Sequence, residues 1–224
     1  MTIHVINPNS LSDVTEGIDA AIAPMRAVSP VAIETHTLSE GPPGIETAAH
    51  IAQVVAPLTK RVEDLTQGAS AFVVACYSDP GVAALRETVW QPVIGIGEAA
   101  VLTAMQRGAR FGTISIQPGS IPRHMAALGV MGVATRCAGD LALSLSVREL
   151  SDAQRTEARL RKVGTALRDA HGADVLILAC AGMARYRADL EEELGLPVID
   201  PCQAATAMAI AAVALERAAG SKGS

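Results

Sequence analysis

Ala71-Phe72-Val73-Val74-Ala75-Cys76 and, later in the chain, Asp174-Val175-Leu176-Ile177-Leu178-Ala179-Cys180 are two versions of one segment, an apolar run that ends in a thiol. Downstream of each lies a second matched stretch, Pro92–Ala100 (PVIGIGEAA) and Pro197–Ala205 (PVIDPCQAA), which share Pro-Val-Ile and a closing Ala-Ala. Cys76 and Cys180 are 104 residues apart and Pro92 and Pro197 are 105 apart, so the spacing holds through the unit. A repeat at fixed spacing marks a structural unit used twice. Here the unit is a βα element ending in a thiol. Two such lobes facing each other would present two thiols to one ligand.

Outward from the repeat, short β-branched runs alternate with longer helical stretches. Strands are expected at Ile3–Ile6, Val31–Thr37, Ala71–Ala75, Val93–Ile94, Phe111–Ile116, Gly132–Arg136, Val175–Ala179 and Val198–Ile199. They are near-continuous apolar runs, the pattern of strands buried on both faces of a parallel sheet. Helices are expected at Ser10–Met25, Ile45–Thr66, Pro80–Val89, Glu98–Arg107, Ser120–Leu128, Asp152–His171, Tyr186–Leu194 and Gln203–Ala219. This alternation predicts an α/β fold with parallel sheets. The repeat divides it into two closely packed lobes, residues 1–97 with 203–219 and residues 98–202. A disordered tail is expected over 220–224.

Composition narrows the partners. Aromatic residues make up 2% of the chain and the formal net charge is −5. The first removes stacking surface and the second a phosphate-neutralising field, so nucleic acid is not expected as a partner. No apolar run reaches the length of a membrane span. Met1–Asn7 lacks a basic leader and does not read as a signal peptide. A cytoplasmic chain with four free or catalytic thiols is therefore expected, rather than one with two disulfides.

In open α/β sheets, function collects in the loops at the carboxyl ends of strands. Three such loops carry unusual chemistry: Asn7-Pro8-Asn9-Ser10, Cys76-Tyr77-Ser78-Asp79-Pro80-Gly81 and Cys180-Ala181-Gly182-Met183. Each of these two cysteines falls at a strand-to-helix turn, where the helix N-terminus should favour thiolate and lower the thiol pKa. Cys137, expected to end a strand without a copy, and Cys202, in the place of Gly97, read as packing residues. His4, His36, His50, His124 and His171 are scattered and read as surface or capping residues. No CxxC pair marks a zinc site, and no phosphate loop is present. Gly95-x-Gly97 lacks the third glycine of a dinucleotide fingerprint. The lysines, Lys60, Lys162 and Lys222, lie in polar helix stretches and the tail. No cofactor is expected. Two thiols without one can take a proton from one face of a carbon acid and return a proton to the other. Donors aimed at the developing enolate oxygen must assist, and Asn7, Asn9, Ser78 and the loop amides are candidates.

Taken in order and spacing, Ile6-Asn7-Pro8-Asn9-Ser10, Ala75-Cys76 with Asp79-Pro80-Gly81, Cys180-Ala181-Gly182-Met183 and Pro197-Val198-Ile199-Asp200-Pro201 resemble the aspartate/glutamate/hydantoin racemase superfamily, most closely its hydantoin and allantoin racemase branch. The resemblance covers essentially all of the chain. It implies two pseudo-symmetric Rossmann-like lobes with the active site in the cleft between them, no cofactor, and Cys76 and Cys180 as acid/base thiols. With the loop reading, it makes Asn7, Asn9, Gly44, Tyr77, Ser78, Asp79, Ser115, Gln117, Ala181 and Gly182 the expected substrate-binding residues, in an expected homo-oligomer. The chain departs from the family in having Ser78 for a common Gly, Gly41-Pro42-Pro43-Gly44-Ile45-Glu46 for a Gly-Pro-x-Ser-Ile-Glu loop, and Ser115-Ile116-Gln117 near an expected Thr-Thr pair. Those departures bear on the substrate more than on the chemistry.

The expected reaction is racemisation of 5-substituted hydantoins or allantoin. Tyr77 is expected to cover the 5-substituent, with medium apolar or aromatic groups preferred. No arginine or lysine lies in the expected pocket loops, and burying an unpaired carboxylate would cost several kcal/mol. That argues against free amino acids. Aspartate or glutamate racemisation and maleate-type cis-trans isomerisation remain open alternatives. So does a two-lobed binding protein without chemistry. Arylmalonate decarboxylases, similar in fold, keep a single thiol because they need one protonation.

Overall fold

The computed structural model describes residues 1–220. In the first half, β1 (Thr2–Asn7), α1 (Ser12–Ile22), β2 (Ala32–Thr37) and α2 (Ala48–Leu65) lead to β3 (Ala69–Val74), α3 (Val82–Thr88), β4 (Val93–Gly95) and α4 (Ile96–Arg107). In the second, β5 (Phe111–Ser115), α5 (Ile121–Val130), β6 (Cys137–Ala142) and α6 (Ala153–Asp169) lead to β7 (Val175–Leu178), α7 (Arg187–Leu194), β8 (Val198–Ile199) and α8 (Pro201–Gly220). Gly220, read from the sequence as the start of a tail, closes α8; the rest of that tail lies outside the described residues.

The strands form two four-stranded sheets, ordered β2-β1-β3-β4 and β6-β5-β7-β8. Every pairing is parallel. The expected α/β class with parallel sheets is what the structure has. Parallel strands need crossovers, and helices supply them.

Three apolar layers hold the sheets. Ile6, Phe72 and Val74 pack outward on Leu58 and Val62 of α2 and on Leu85 of α3. Ile114, Leu176 and Leu178 do the same against Leu160 and Leu167 of α6 and Leu190 and Leu194 of α7. Between the sheets lies the third layer, joining Ile3, Val5 and Val73 to Val175 and Ile177 through Ala100, Ala104, Ala205 and Ala209. Alanine suits this position because small side chains let helices sit close to both sheets. α4 follows β4 yet contacts β5, β7 and β8, while α8 follows β8 yet contacts β1, β3 and β4. The two helices also pack on each other.

Several element ends differ from the sequence reading. Gly132–Arg136 is a turn, with a 3-10 segment at Ala134–Arg136, and the strand follows it at Cys137–Ala142, so Cys137 opens a strand rather than ending one. Every residue of β6, which lies at the edge of its sheet, is half-buried. α1 ends at Ile22, and Pro24 turns the chain into a 3-10 segment over Ala23–Ala27, since proline has no N–H for the α ladder. α8 starts two residues earlier than expected, with proline allowed in the first turn and the Asp200 carboxylate accepting from the Gln203 N–H at 2.7 Å.

Candidate active site

In each sheet the chain leaves the central pair in opposite directions, toward β2 from β1 and toward β4 from β3, and likewise around β5 and β7. Such switch points leave a crevice at the carboxyl ends of the strands. The two cysteines sit at these two crevices, on turns built alike. Ala75 N–H donates to Ile6 O at 2.8 Å and Cys76 N–H to Val74 O at 3.0 Å; Ala179 N–H donates to Ile114 O at 2.9 Å and Cys180 N–H to Leu178 O at 2.8 Å. Each sulfur also accepts a backbone N–H from the residue two positions on, Ser78 for Cys76 and Gly182 for Cys180. A Cβ at Gly182 would press on Leu150, lying 3.3 Å from its Cδ1, and would make ordinary contact with Cys180 Sγ at 3.7 Å.

Both cysteines are half-buried and line one cleft, with Asn9, Tyr77, Ser78, Gln117, Ala181 and Gly182 beside them. The lowered thiol pKa expected from the helix ends is not found. Desolvation pushes Cys76 up to about 12, with the neighbouring Asp79 and Cys180 adding to the rise against the Ser78 N–H. Desolvation likewise pushes Cys180 up to about 11. The helical segments after the thiols are short, and their partial charges do not offset the loss of water. Free of substrate, the cleft holds two thiols.

Four expected substrate contacts lie outside the cleft lining. Asn7 is buried, and its side-chain amide is used internally: Nδ2 donates to Asn9 Oδ1, Leu11 O and Thr15 Oγ1 at 3.0–3.2 Å, and Oδ1 accepts from Asn9 N. It shapes the turn that presents Asn9. Asn9 Oδ1 is taken by Asn7 and by the Leu11 N–H, whereas its Nδ2 donates to no protein group among the described residues. Asp79 turns to the start of α4, its two oxygens accepting from Gly97 and Glu98 N–H at 2.8 Å each. This contact explains Gly95 and Gly97. A Cβ on Gly95 would lie 2.3 Å from Asp79 Cγ, and one on Gly97 2.2 Å from Tyr77 O. Gly44 packs on Val147, where an added Cβ would lie 3.0 Å from Val147 Cγ2. Ser115 is fully buried and donates to Asp140 Oδ1 at 2.5 Å.

Sequence reading missed His124 in the lining, together with Val14, Ser120 and Val147, while Glu46 lies in the Gly41–Glu46 loop expected in the pocket wall. His124 is not a surface residue. It is 7% exposed, with Nδ1 at 2.9 Å from Asp140 Oδ2 and 3.1 Å from Ser115 Oγ. The Tyr77 ring meets it edge-on at 4.9 Å, and the Tyr77 hydroxyl bonds Thr113, which fixes the ring within the wall. α5 follows β5 as α1 follows β1, and α1 likewise contributes Val14 to the cleft; the equivalence of the two βα units is the signal that could have found His124. Glu46 accepts the Val147 N–H at 2.9 Å. No lysine or arginine lines the cleft. Arg123, the nearest cation in sequence to these loops, donates from Nη1 to Gly119 O and from Nη2 to Glu46 O, while its buried Nε has no partner among the described residues.

Cys202 is fully buried in the layer between the sheets. Among the described residues, the one group of three potential metal ligands converging within 4.8 Å is His4, Glu34 and His36, none of which lines the cleft.

Two parallel sheets that meet at matched cysteine turns define a class of cleft enzymes, and comparison with known proteins gives it a family. The Asp/Glu/hydantoin racemase family model matches residues 3–209. A hydantoin racemase of Rhizobium meliloti is 36% identical over 211 residues, 93% of this chain and 87% of the relative. A hydantoin racemase of Paenarthrobacter aurescens is 34% identical over 220 residues, 96% of this chain and 92% of the relative. The structure of an allantoin racemase from Klebsiella pneumoniae superposes with a TM-score of 0.87 at 32% identity, covering 96% of this chain and 89% of that one. The chain belongs to the Asp/Glu/hydantoin racemase family.

Proposed function

We propose that this protein is a cofactor-independent racemase of 5-substituted hydantoins or allantoin, with Cys76 and Cys180 as its two bases. The observation that carries the reading is the matched pair of thiols at the two strand crossovers, each held by the N–H two residues on. Residues 1–97 with 203–219 then form one lobe and 98–202 the other, each offering one thiol to the substrate carbon.

In one direction the Cys76 sulfur, as thiolate, takes the proton from the chiral carbon, and the electron pair moves onto the adjacent carbonyl oxygen. The Cys180 thiol then delivers its proton to the opposite face. The enantiomer leaves with Cys76 protonated and the charge on Cys180; the reverse reaction runs the same steps backward. Because burial disfavours either thiolate, the charged form has to be supported by the substrate's dipoles and the Ser78 and Gly182 amides. Stabilising the developing enolate is the other requirement. Asn9 Nδ2 is a donor available for a carbonyl oxygen. His124, its Nδ1 turned to Asp140, lines the same cleft and can meet a polar edge of the substrate ring. Two such polar groups suit the amide edge of a cyclic ureide.

The lining supports a neutral substrate over a carboxylate. Glu46 would repel an anion, and no lysine or arginine lines the cleft to pair one. Tyr77, held by Thr113 and His124, serves this reading as a fixed wall rather than a mobile cover. The cleft shares Val14, Val147, Ala181 and Gly182 with a neighbouring chamber between α1 and the 147–151 segment, which offers space for the 5-substituent.

The test follows loss of optical rotation in deuterated water for allantoin, benzyl- and alkyl-hydantoins, aspartate and glutamate, with conversion of maleate to fumarate followed separately by ultraviolet absorbance. Racemisation of a cyclic ureide with one deuteron taken up at the chiral carbon is expected. Faster turnover of aspartate or glutamate would move the protein to the amino-acid branch.

A further inference from the structure

On the face of the first sheet away from the cleft, three side chains with no part in that chemistry meet. β1 and β2 pair in parallel with His4 opposite Glu34 and Ile6 opposite His36. Glu34 and His36 are two apart on one strand, so both point to the face that His4 takes. The rest of that face is apolar, and the His4 ring lies stacked on Phe72 at 5.7 Å. His4 Nδ1 is 2.9 Å from His36 Nε2, 3.9 Å from Glu34 Oε2, and His36 Nε2 is 4.0 Å from the same oxygen.

We propose that His4, Glu34 and His36 bind a borderline divalent cation, Zn²⁺ being the best match. Zinc at its usual 2.0–2.1 Å from nitrogen and oxygen in a tetrahedron sets its ligands roughly 3.3 Å apart. The observed triangle brackets that value, and shifts of well under 1 Å close it. Most of the movement falls to Glu34, whose side chain is 57% exposed on the edge strand. Two imidazoles and one carboxylate favour zinc, cobalt or nickel over the all-oxygen sites of magnesium and calcium. Burial, and for His4 the neighbouring His36, hold both imidazoles below the usual histidine range. Arg61 and the N-terminal ammonium also face the histidines. Their charge weakens the site and makes it a moderate binder. A metal here staples the edge strand β2 to β1 and does no chemistry on the substrate.

The experiment titrates ZnCl₂ calorimetrically into the Cys76→Ser/Cys180→Ser protein, which removes the cleft thiols as competing ligands. One equivalent should bind, and the melting temperature should rise. His36→Ala and Glu34→Gln, both at partly exposed positions, should each weaken binding at least about tenfold while the apo protein stays folded by circular dichroism. Cobalt should give a tetrahedral visible spectrum without a thiolate charge-transfer band. No saturable binding tighter than about 1 mM, or an affinity unchanged in His36→Ala, overturns the proposal. None of these readouts measures turnover, so failure here leaves the racemase reading where it stands.

Discussion

Asp140 holds His124 from beneath the cleft: its Oδ2 lies 2.9 Å from His124 Nδ1, while its Oδ1 takes the Ser115 hydroxyl at 2.5 Å. The carboxylate accepts both bonds, so Nδ1 carries the proton on that side of the ring. Asp140→Asn can offer its amide N–H to Nδ1 and reverse the tautomer. A loss of roughly 10²-fold in kcat/KM is expected, with the protein still folded. His124→Gln should lose a similar amount. An Asp140→Asn enzyme with wild-type kinetics would remove His124 from the substrate's surroundings.

Cys76→Ser and Cys180→Ser should each lower racemisation by about 10²–10⁴-fold, because serine is too weak an acid to replace either thiol. Each variant is expected to keep some deuterium exchange on the enantiomer whose proton faces the remaining sulfur. Cys202→Ser and Cys137→Ser should change stability and leave turnover close to wild type. Near-normal racemisation by Cys180→Ser would exclude a two-base mechanism.

Alkylation of the resting enzyme reports the thiol environment. With Cys76 pushed up to about 12 and Cys180 up to about 11, the thiolate fraction at pH 8 is small for both. Inactivation by iodoacetamide should be on the order of a hundredfold slower than for an exposed cysteine, and its rate should still climb past pH 9. Substrate should protect. A plateau below pH 8 would indicate a resting thiolate instead.

Asp79 titrates in a different sense. Desolvation, opposed by the Gly97 and Glu98 N–H groups, raises it to about 7. Between its unfolded value of 3.8 and that folded value, the native state binds the extra proton. Stability from this group is therefore greatest on the acid side and declines as pH rises through about 7. Lowered His4 and His36 act oppositely, gaining stability as pH rises past the usual histidine range, so the measurement is a difference. Urea unfolding of wild type and Asp79→Asn at pH 5.5 and about pH 8 should show the wild type losing ground at the higher pH. An unchanged gap would contradict the shift.

Gly97→Ala drives a Cβ to 2.2 Å from Tyr77 O and pushes on the turn that carries Cys76. A loss of about 1–3 kcal/mol is expected, together with reduced kcat. Gly129→Ala on α5 meets nothing within 4 Å and should be neutral or stabilising by up to about 1 kcal/mol. Equal effects from both would mean that the close approach at Gly97 carries no weight.

The parts of the fold legible in the sequence are those encoded within one βα unit. Val198–Ile199 and the cysteine strands stand out because burial on both faces makes a continuous apolar run. β6 does not, since it is half-buried throughout and Cys137–Ala142 has no such run; the nearby Gly132–Arg136 imitates one. The site follows the same division. Cys76 and Cys180 announce themselves through the repeat. His124 and Asp140, 16 residues apart, meet only when α5 folds across β6, and nothing local to either residue marks it. Asn7 and Asp79 are polar groups in loops at strand ends, and sequence cannot tell whether such a group faces the ligand or braces the loop. Their bonds to Thr15 and to the start of α4 assign them to the second role.

The exchange of α4 and α8 between the sheets bears on how the chain leaves the ribosome. When β4 has emerged, the first sheet has its outer helices but its inner face lacks α8, which packs on β1, β3 and β4 and begins at Pro201. At synthesis speeds of about 5–20 residues per second, the gap lasts on the order of 5–20 seconds. For that interval Ile3, Val5 and Val73 form an apolar surface without its final cover, a natural target for chaperones. A truncation before α8 would make that exposure permanent.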